Sequence, residues 1–182
     1  QGSELEYIEL PESLKYIGYK SFCGNSNITS LTLPKNIEEV YEGSFERCNG
    51  LLDVRFECIE ATCKNYESSI SPFRGTNSKT GYTVTVSADV KTIPAYMFST
   101  GGGATDTFGC IELIFENEST CTTIKQYAFQ NTRMKALVLP ESIVTIERNA
   151  FDYCLLSSVT LPRSITALRI DAFAHNTTLT HV

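Results

Sequence analysis

Histidine is nearly absent from this 182-residue chain: His175 and His181, both within the last eight residues, are the only two. The patterns His-Glu-x-x-His, Gly-x-Ser-x-Gly and Cys-x-x-Cys are missing, as is the calcium-binding loop, so zinc-protease, serine-hydrolase and dithiol chemistry have no framework. Gly101-Gly102-Gly103 lacks the Lys-Ser/Thr that completes a phosphate loop and reads as a flexible bend. A Cys154–His175 nucleophile pair can be drawn, but both residues fall in structural repeat positions. No run approaches the roughly 18 apolar residues of a membrane span. No charged-then-apolar segment marks a signal peptide, which a secreted chain would already have lost. Net charge is −6 and the 15 Lys and Arg are scattered, which leaves no basic stripe to track nucleic-acid phosphates. The chain reads as a non-enzyme that needs no cofactor or metal.

What is present is a repeat. Seven phenylalanines, Phe22, Phe45, Phe73, Phe98, Phe129, Phe151 and Phe173, recur 23, 28, 25, 31, 22 and 22 residues apart. Upstream of them, Leu31-Thr32-Leu33-Pro34 matches Leu137-Val138-Leu139-Pro140, Val159-Thr160-Leu161-Pro162 and Ile8-Glu9-Leu10-Pro11. Alternating apolar residues predict a half-buried strand, and proline, having no N–H to donate, ends it. A second apolar pair such as Ile143 and Ile146 follows on another face, and the Ala-Phe segment predicts one irregular helical turn. Units fall near 5–27, 28–50, 51–76, 77–109, 110–132, 133–155 and 156–178. None can bury its apolar face alone, so stability comes from stacking, with the rings in a column. The chain reads as a single repeat domain over 1–182, a segment of a longer array.

The seven cysteines fit this frame better than a disulfide framework. Cys48 and Cys154 stand three residues after their Phe, where Asn25 and Asn176 stand in other copies. Four stacked units put Cys48 and Cys154 about 19 Å apart, against a Cα limit of roughly 7 Å for a bridge. Cys110 and Cys121 occupy core positions. Cys58 and Cys63 lie off the pattern, and a bridge between them stays open.

The segments Leu5 to Phe22, Ile28 to Cys48, Met134 to Cys154 and Leu156 to Asn176 resemble the BspA-like leucine-rich repeats, with their Leu-Pro and Ala-Phe-x-x-Cys frames. The resemblance implies an α/β, mostly β, right-handed leucine-rich-repeat solenoid of about seven stacked units of 22–31 residues. It also implies extracellular or cell-surface proteins of bacteria and some parasitic protists, several of them adhesive. On this reading the chain is a protein-binding or adhesion module. Its partner would be a protein, host matrix and plasma proteins included, or a cell-surface glycan. The rival is a structural spacer projecting another domain from the envelope. The expected binding patch is the outward strand face at Glu6, Tyr7, Glu9, Thr32, Asp53 and Arg55, beside the insertion at 57–72. A second insertion, around Gly101 to Asp106, reads as a surface loop.

Overall fold

The computed structural model describes residues 5, 7–64, 71–77, 79–101 and 109–182, and they build a coil with three sides per unit. One side carries β2 (Ser30–Leu33), β4 (Asp53–Phe56), β6 (Tyr82–Val86), β8 (Cys110–Phe115), β10 (Ala136–Val138) and β12 (Ser158–Thr160). The second carries β1 (Tyr16–Ile17), β3 (Glu39–Tyr41), β5 (Thr62–Lys64), β7 (Thr92–Ile93), β9 (Thr123–Ile124), β11 (Thr145–Ile146) and β13 (Ala167–Leu168). Every pairing is parallel, and each joins one unit to the next.

The predicted alternation is realised: Leu31 and Leu33 point inward while Ser30 and Thr32 face solvent, and Val54 and Phe56 alternate with Asp53 and Arg55 in the same way. After the strand, proline opens a tight turn by accepting from the residue three ahead. Pro34 O takes the Ile37 N–H at 3.2 Å and Pro140 O takes the Ile143 N–H at 3.1 Å. The exception is the first unit, where Ile8 to Leu10 has the same pattern but forms no strand. An outermost strand has a neighbour on one side only, which leaves its pairing marginal.

The third side corrects one expectation. No helix forms among the described residues, and the Ala-Phe segment is a run of turns. The cause lies in the backbone two residues before and after the Phe, the exceptions being before Phe73 and after Phe98. Lys20, Gly43, Tyr96, Tyr127, Asn149 and Asp171 precede it with φ of 50–64°, and Gly24, Arg47, Gly75, Asn131, Tyr153 and His175 follow it with φ of 53–80°. Left-handed residues at that spacing break a right-handed helix. They also turn alternate N–H groups toward the next unit. The amides of Tyr127, Phe129 and Asn131 donate to the carbonyls of Arg148, Ala150 and Asp152 at 3.1, 2.8 and 2.9 Å, while those of Ala128 and Gln130 donate within the turn. Unit three has no left-handed residue before its Phe, and a hydroxyl relays instead. The Phe73 N–H donates to Ser71 Oγ at 3.0 Å, and Ser71 Oγ donates to Met97 O at 2.9 Å. Buried backbone polar groups are thereby satisfied on a side that has no strand.

Inside runs the predicted column. Successive rings from Phe22 to Phe173 lie 5.0 to 5.5 Å apart, and the last two pairs, Phe129–Phe151 and Phe151–Phe173, are parallel within 2° and 3°. Beside it the Asn/Cys slot forms a ladder. Cys48, Thr76, Cys154 and Asn176 each donate to the carbonyl of the preceding unit's Phe, at 3.2, 2.6, 3.3 and 2.8 Å. All seven cysteines are free, Cys58 and Cys63 included. Cys58 Sγ faces Leu33 O at 3.7 Å, and Cys63 Sγ lies 3.8 Å from Met97 Sδ.

Candidate functional site

Because β2, β4, β6 and β8 pair in one sheet, their outward residues line up in two rows. Ser30, Asp53, Thr83 and Glu112 form one row, and Thr32, Arg55, Thr85 and Ile114 the other. Thr32, Asp53 and Arg55 therefore sit together as expected: Thr32 is the register partner of Arg55, and Asp53 is two residues away on the same strand. Tyr7 and Glu9 are exposed, Tyr7 to 75 %, but their backbone joins no strand. Glu6 lies outside the described residues, as do 65–70 of the first insertion and 102–108 around the second.

Arg55 is more constrained than its position alone suggests. Its Nε donates to Glu57 Oε1 at 2.5 Å and its Nη1 to Glu116 Oε1 at 2.6 Å, so the guanidinium bridges two carboxylates. That pairing raises the Arg55 pKa and holds the Glu116 carboxyl below the usual carboxylate range. Glu116 also accepts from the Ala88 N–H at 3.3 Å, which anchors the cluster to the sheet edge. A partner offering an acid to Arg55 meets a guanidinium already engaged by two carboxylates.

A different feature of the same face was not expected. The ladder is interrupted after β8: β10 and β12 form a separate two-stranded sheet, and no pairing joins β8 to β10. At the N-terminal ends of these two strands opens a groove of about 640 Å³, lined by Ile111, Glu112, Arg133, Lys135, Ala136 and Leu155. The exposed aliphatic residues Ile111, Ile114, Val138 and Leu155 gather at this break, Val138 being 68 % exposed. Ile111 is turned out by a register shift between Tyr82–Cys110 and Thr83–Glu112. Only one residue separates Tyr82 from Val84, where two separate Cys110 from Leu113, so β6 is a residue short. That shortfall is visible in the sequence, and Gly81 accommodates it: a Cβ there would meet the Ile111 side chain at 2.3 Å.

Cys154 and His175, the nucleophile pair that the sequence allows, each have other partners. The Cys154 thiol packs against Phe129 O at 3.3 Å and Thr132 Oγ1 at 3.2 Å, and burial pushes its pKa up to about 12. His175 Nδ1 lies 2.7 Å from Asp152 Oδ1, and its ring stacks on Tyr153 at 4.0 Å. Neither is poised for the other. Among the described residues no cluster of three or more His, Cys, Asp or Glu could hold a metal ion. None of them forms a helix long and apolar enough to cross a membrane.

Parallel strands on two sides, a turn ladder on the third and the Asn/Cys/Thr slot beside a phenylalanine column define a leucine-rich-repeat solenoid. More particularly, the chain belongs to the BspA-type leucine-rich-repeat family, whose model matches in six copies over residues 1–101 and 108–182. No curated protein matches it. Among solved structures it is similar to the pneumococcal vaccine antigen PcpA, at 19 % identity and a TM-score of 0.52, over 75 % of this chain. The match spans 31 % of the antigen, about a third of its length. A leucine rich cell surface protein from Faecalibacterium prausnitzii A2-165 aligns over 98 % of this chain and 69 % of its own, at 15 % identity and a TM-score of 0.32.

Proposed function

We propose that this chain is a non-enzymatic recognition module of an extracellular or cell-surface protein, which holds a partner across its exposed strand face. The observation that carries the reading is the pair of outward rows, Ser30–Asp53–Thr83–Glu112 and Thr32–Arg55–Thr85–Ile114, because stacking makes them one continuous multi-unit surface. Their mixed chemistry, with hydroxyls, both charge signs and an exposed aliphatic residue, suits a protein partner. A surface setting agrees with one solved structure of this fold being a vaccine antigen.

The test is a binding screen of the protein against extracellular-matrix proteins, plasma proteins and cell-surface glycans, repeated with a Tyr7→Ala, Arg55→Ala double variant. Binding through the N-terminal part of the face predicts a loss of about 1–2 kcal/mol with little change in Tm, since both side chains are exposed. Undiminished binding by the folded variant moves the site away from that patch. Failure to find any partner sensitive to strand-face substitutions leaves the spacer reading.

A further inference from the structure

The second side of the coil carries a charge feature of its own. Register pairing sets Ile124, Ile146 and Leu168 side by side, so the residues after them also line up across three units. Lys125, Glu147 and Arg169 form one column, and Gln126, Arg148 and Ile170 the next. The ladder holds this corner too, because the N–H groups of Lys125, Glu147 and Arg169 donate to Ile93, Ile124 and Ile146 at 3.0, 2.9 and 2.9 Å. A groove of about 370 Å³ opens there, lined by Gln126, Thr145, Glu147, Arg148, Arg169 and Ile170.

The two arginines of this groove face no carboxylate partner. Lys15, Lys20, Arg55 and Lys64, in the first three units, are each in an ion pair with glutamate. Among the described residues, the Arg169 side chain has neither a hydrogen bond nor an ion pair. Arg148 meets uncharged groups: its Nε donates to Asn149 Oδ1 at 3.0 Å, and its guanidinium carbon lies 6.0 Å from the Tyr127 ring centre. Those contacts fix the guanidinium plane without neutralising it and leave both Nη groups for a ligand. Glu147 is the groove's one carboxylate, and its Oε2 accepts the Gln126 N–H at 3.0 Å. Neither Glu147 nor Asp171, on the turn beyond Ile170, forms an ion pair with either arginine. With Lys125, three cations stand against one carboxylate on a chain whose net charge is −6. Such a local excess attracts an anion.

We infer that this corner is a second binding site, for an acidic glycan whose uronic-acid sugars run along the coil axis. A sugar carboxylate sits between Arg148 and Arg169, whose planar forks match it. The Gln126 amide, the Thr145 hydroxyl and the remaining Glu147 oxygen serve the ring hydroxyls, and Ile170, 72 % exposed, covers a C–H face. An acidic peptide would satisfy the arginines but has no hydroxyls to offer Glu147. Stacked units repeat at about 4.8 Å, close to the rise of one sugar in an extended chain, so successive sugars meet successive units. The volume lies in the range of sites that hold a small ligand segment. The site is on a different side from the strand face, so the inference stands apart from the recognition reading above.

The experiment is a titration of the isotope-labelled protein, followed through its backbone amide resonances. The probes are trigalacturonic acid, its methyl ester, which keeps the hydroxyls without the charge, and acetyl-Asp-Asp-Asp-amide, which keeps the charge without the hydroxyls. Trigalacturonate is expected to shift the amides of Gln126, Glu147, Arg148, Arg169 and Ile170 saturably, and to bind at least about tenfold more tightly than either control. Arg169→Gln, at an exposed position, should weaken it at least about tenfold while leaving the rest of the spectrum in place. Arg148→Gln provides a second variant, and Lys35→Gln, exposed in the second unit, should leave binding unchanged. Equal binding of the methyl ester, no saturable shift at the corner, or an equal loss in Lys35→Gln would each overturn the inference. So would the aspartate peptide shifting the same amides as strongly, which would make the occupant an acidic peptide. None of these outcomes bears on the strand-face reading, whose residues lie on another side of the coil.

Discussion

Phe151→Ala probes the stack at its most regular point. The ring is fully buried and lies between Phe129 and Phe173 at 5.3 and 5.4 Å, nearly parallel to both. Truncation removes the transfer energy of a buried ring and leaves a cavity that neighbours held by ladders on three sides cannot collapse into, a loss of about 3–5 kcal/mol. Two stacked pairs disappear at once, each worth about 0.5–1.5 kcal/mol beyond area, which places the expectation in the upper half of that range. Because each unit rests only on its neighbours, the unit ending at Asn176 also loses its support. The assay is equilibrium urea unfolding followed by circular dichroism, with Phe173→Ala as the internal reference. Phe173 is only partly buried and stacks on one described ring, so its loss should cost roughly half as much. A Phe151→Ala loss below about 1 kcal/mol, or one equal to that of Phe173→Ala, would refute the column as a source of stability.

Three further outcomes are expected. Denaturing, non-reducing alkylation should label all seven thiols, and two persistently unlabelled cysteines would restore a disulfide. Raising the pH above about 9 should destabilise the fold. The unfolded chain then releases thiol protons that the native state keeps on Cys48 and Cys121, whose pKa values burial raises to about 11, and on Cys58 and Cys154, raised to about 12. Each such thiol removes up to about 1.4 kcal/mol per pH unit, so urea midpoints that stay flat between about pH 9 and 10 would contradict this burial. Tyr82→Phe should stabilise the protein by about 1 kcal/mol, because the hydroxyl is buried without a described hydrogen-bond partner. A loss of similar size in a thermal melt would mean that the hydroxyl is satisfied.

The fold was legible where side-chain pattern and backbone agree. The apolar-x-Leu-Pro frame marked β2, β10 and β12, whereas β4, β6 and β8 run on without that proline; the phenylalanine spacing marked the column, and Asn25, Cys48, Cys154 and Asn176 marked the slot. Thr76 and Thr132 stand in the same slot, and the spacing from Phe73 and Phe129 was the signal for them. The turn side was not legible, since Lys20, Arg47 and Tyr127 adopt a left-handed backbone that their side chains disfavour. Stacking supports it, because in that conformation their N–H groups donate to the next unit. Of the candidate binding patch, Thr32, Asp53 and Arg55 were correctly placed on one face. That Arg55 is already held by Glu116, 61 residues away, depends on which strands neighbour which. The break between β8 and β10 is likewise a property of the stack. The missing residue between Tyr82 and Val84 is instead the trace of the register shift between β6 and β8.

The exposed apolar side chains provide a reporter for each side of the coil: Leu52, Ile111, Ile114, Val138 and Leu155 on the strand face, Tyr16, Leu168 and Ile170 on the second side, and Tyr19 and Tyr153 on the turns. Hydroxyl-radical footprinting with and without a partner recovered from the binding screen therefore tests the central claim, that recognition runs through the strand face. Protection confined to Leu52, Ile111, Ile114, Val138 and Leu155 is the predicted result. Protection of Tyr16 and Ile170, or of Tyr19 and Tyr153, with the strand-face residues oxidised at the free rate, would contradict it.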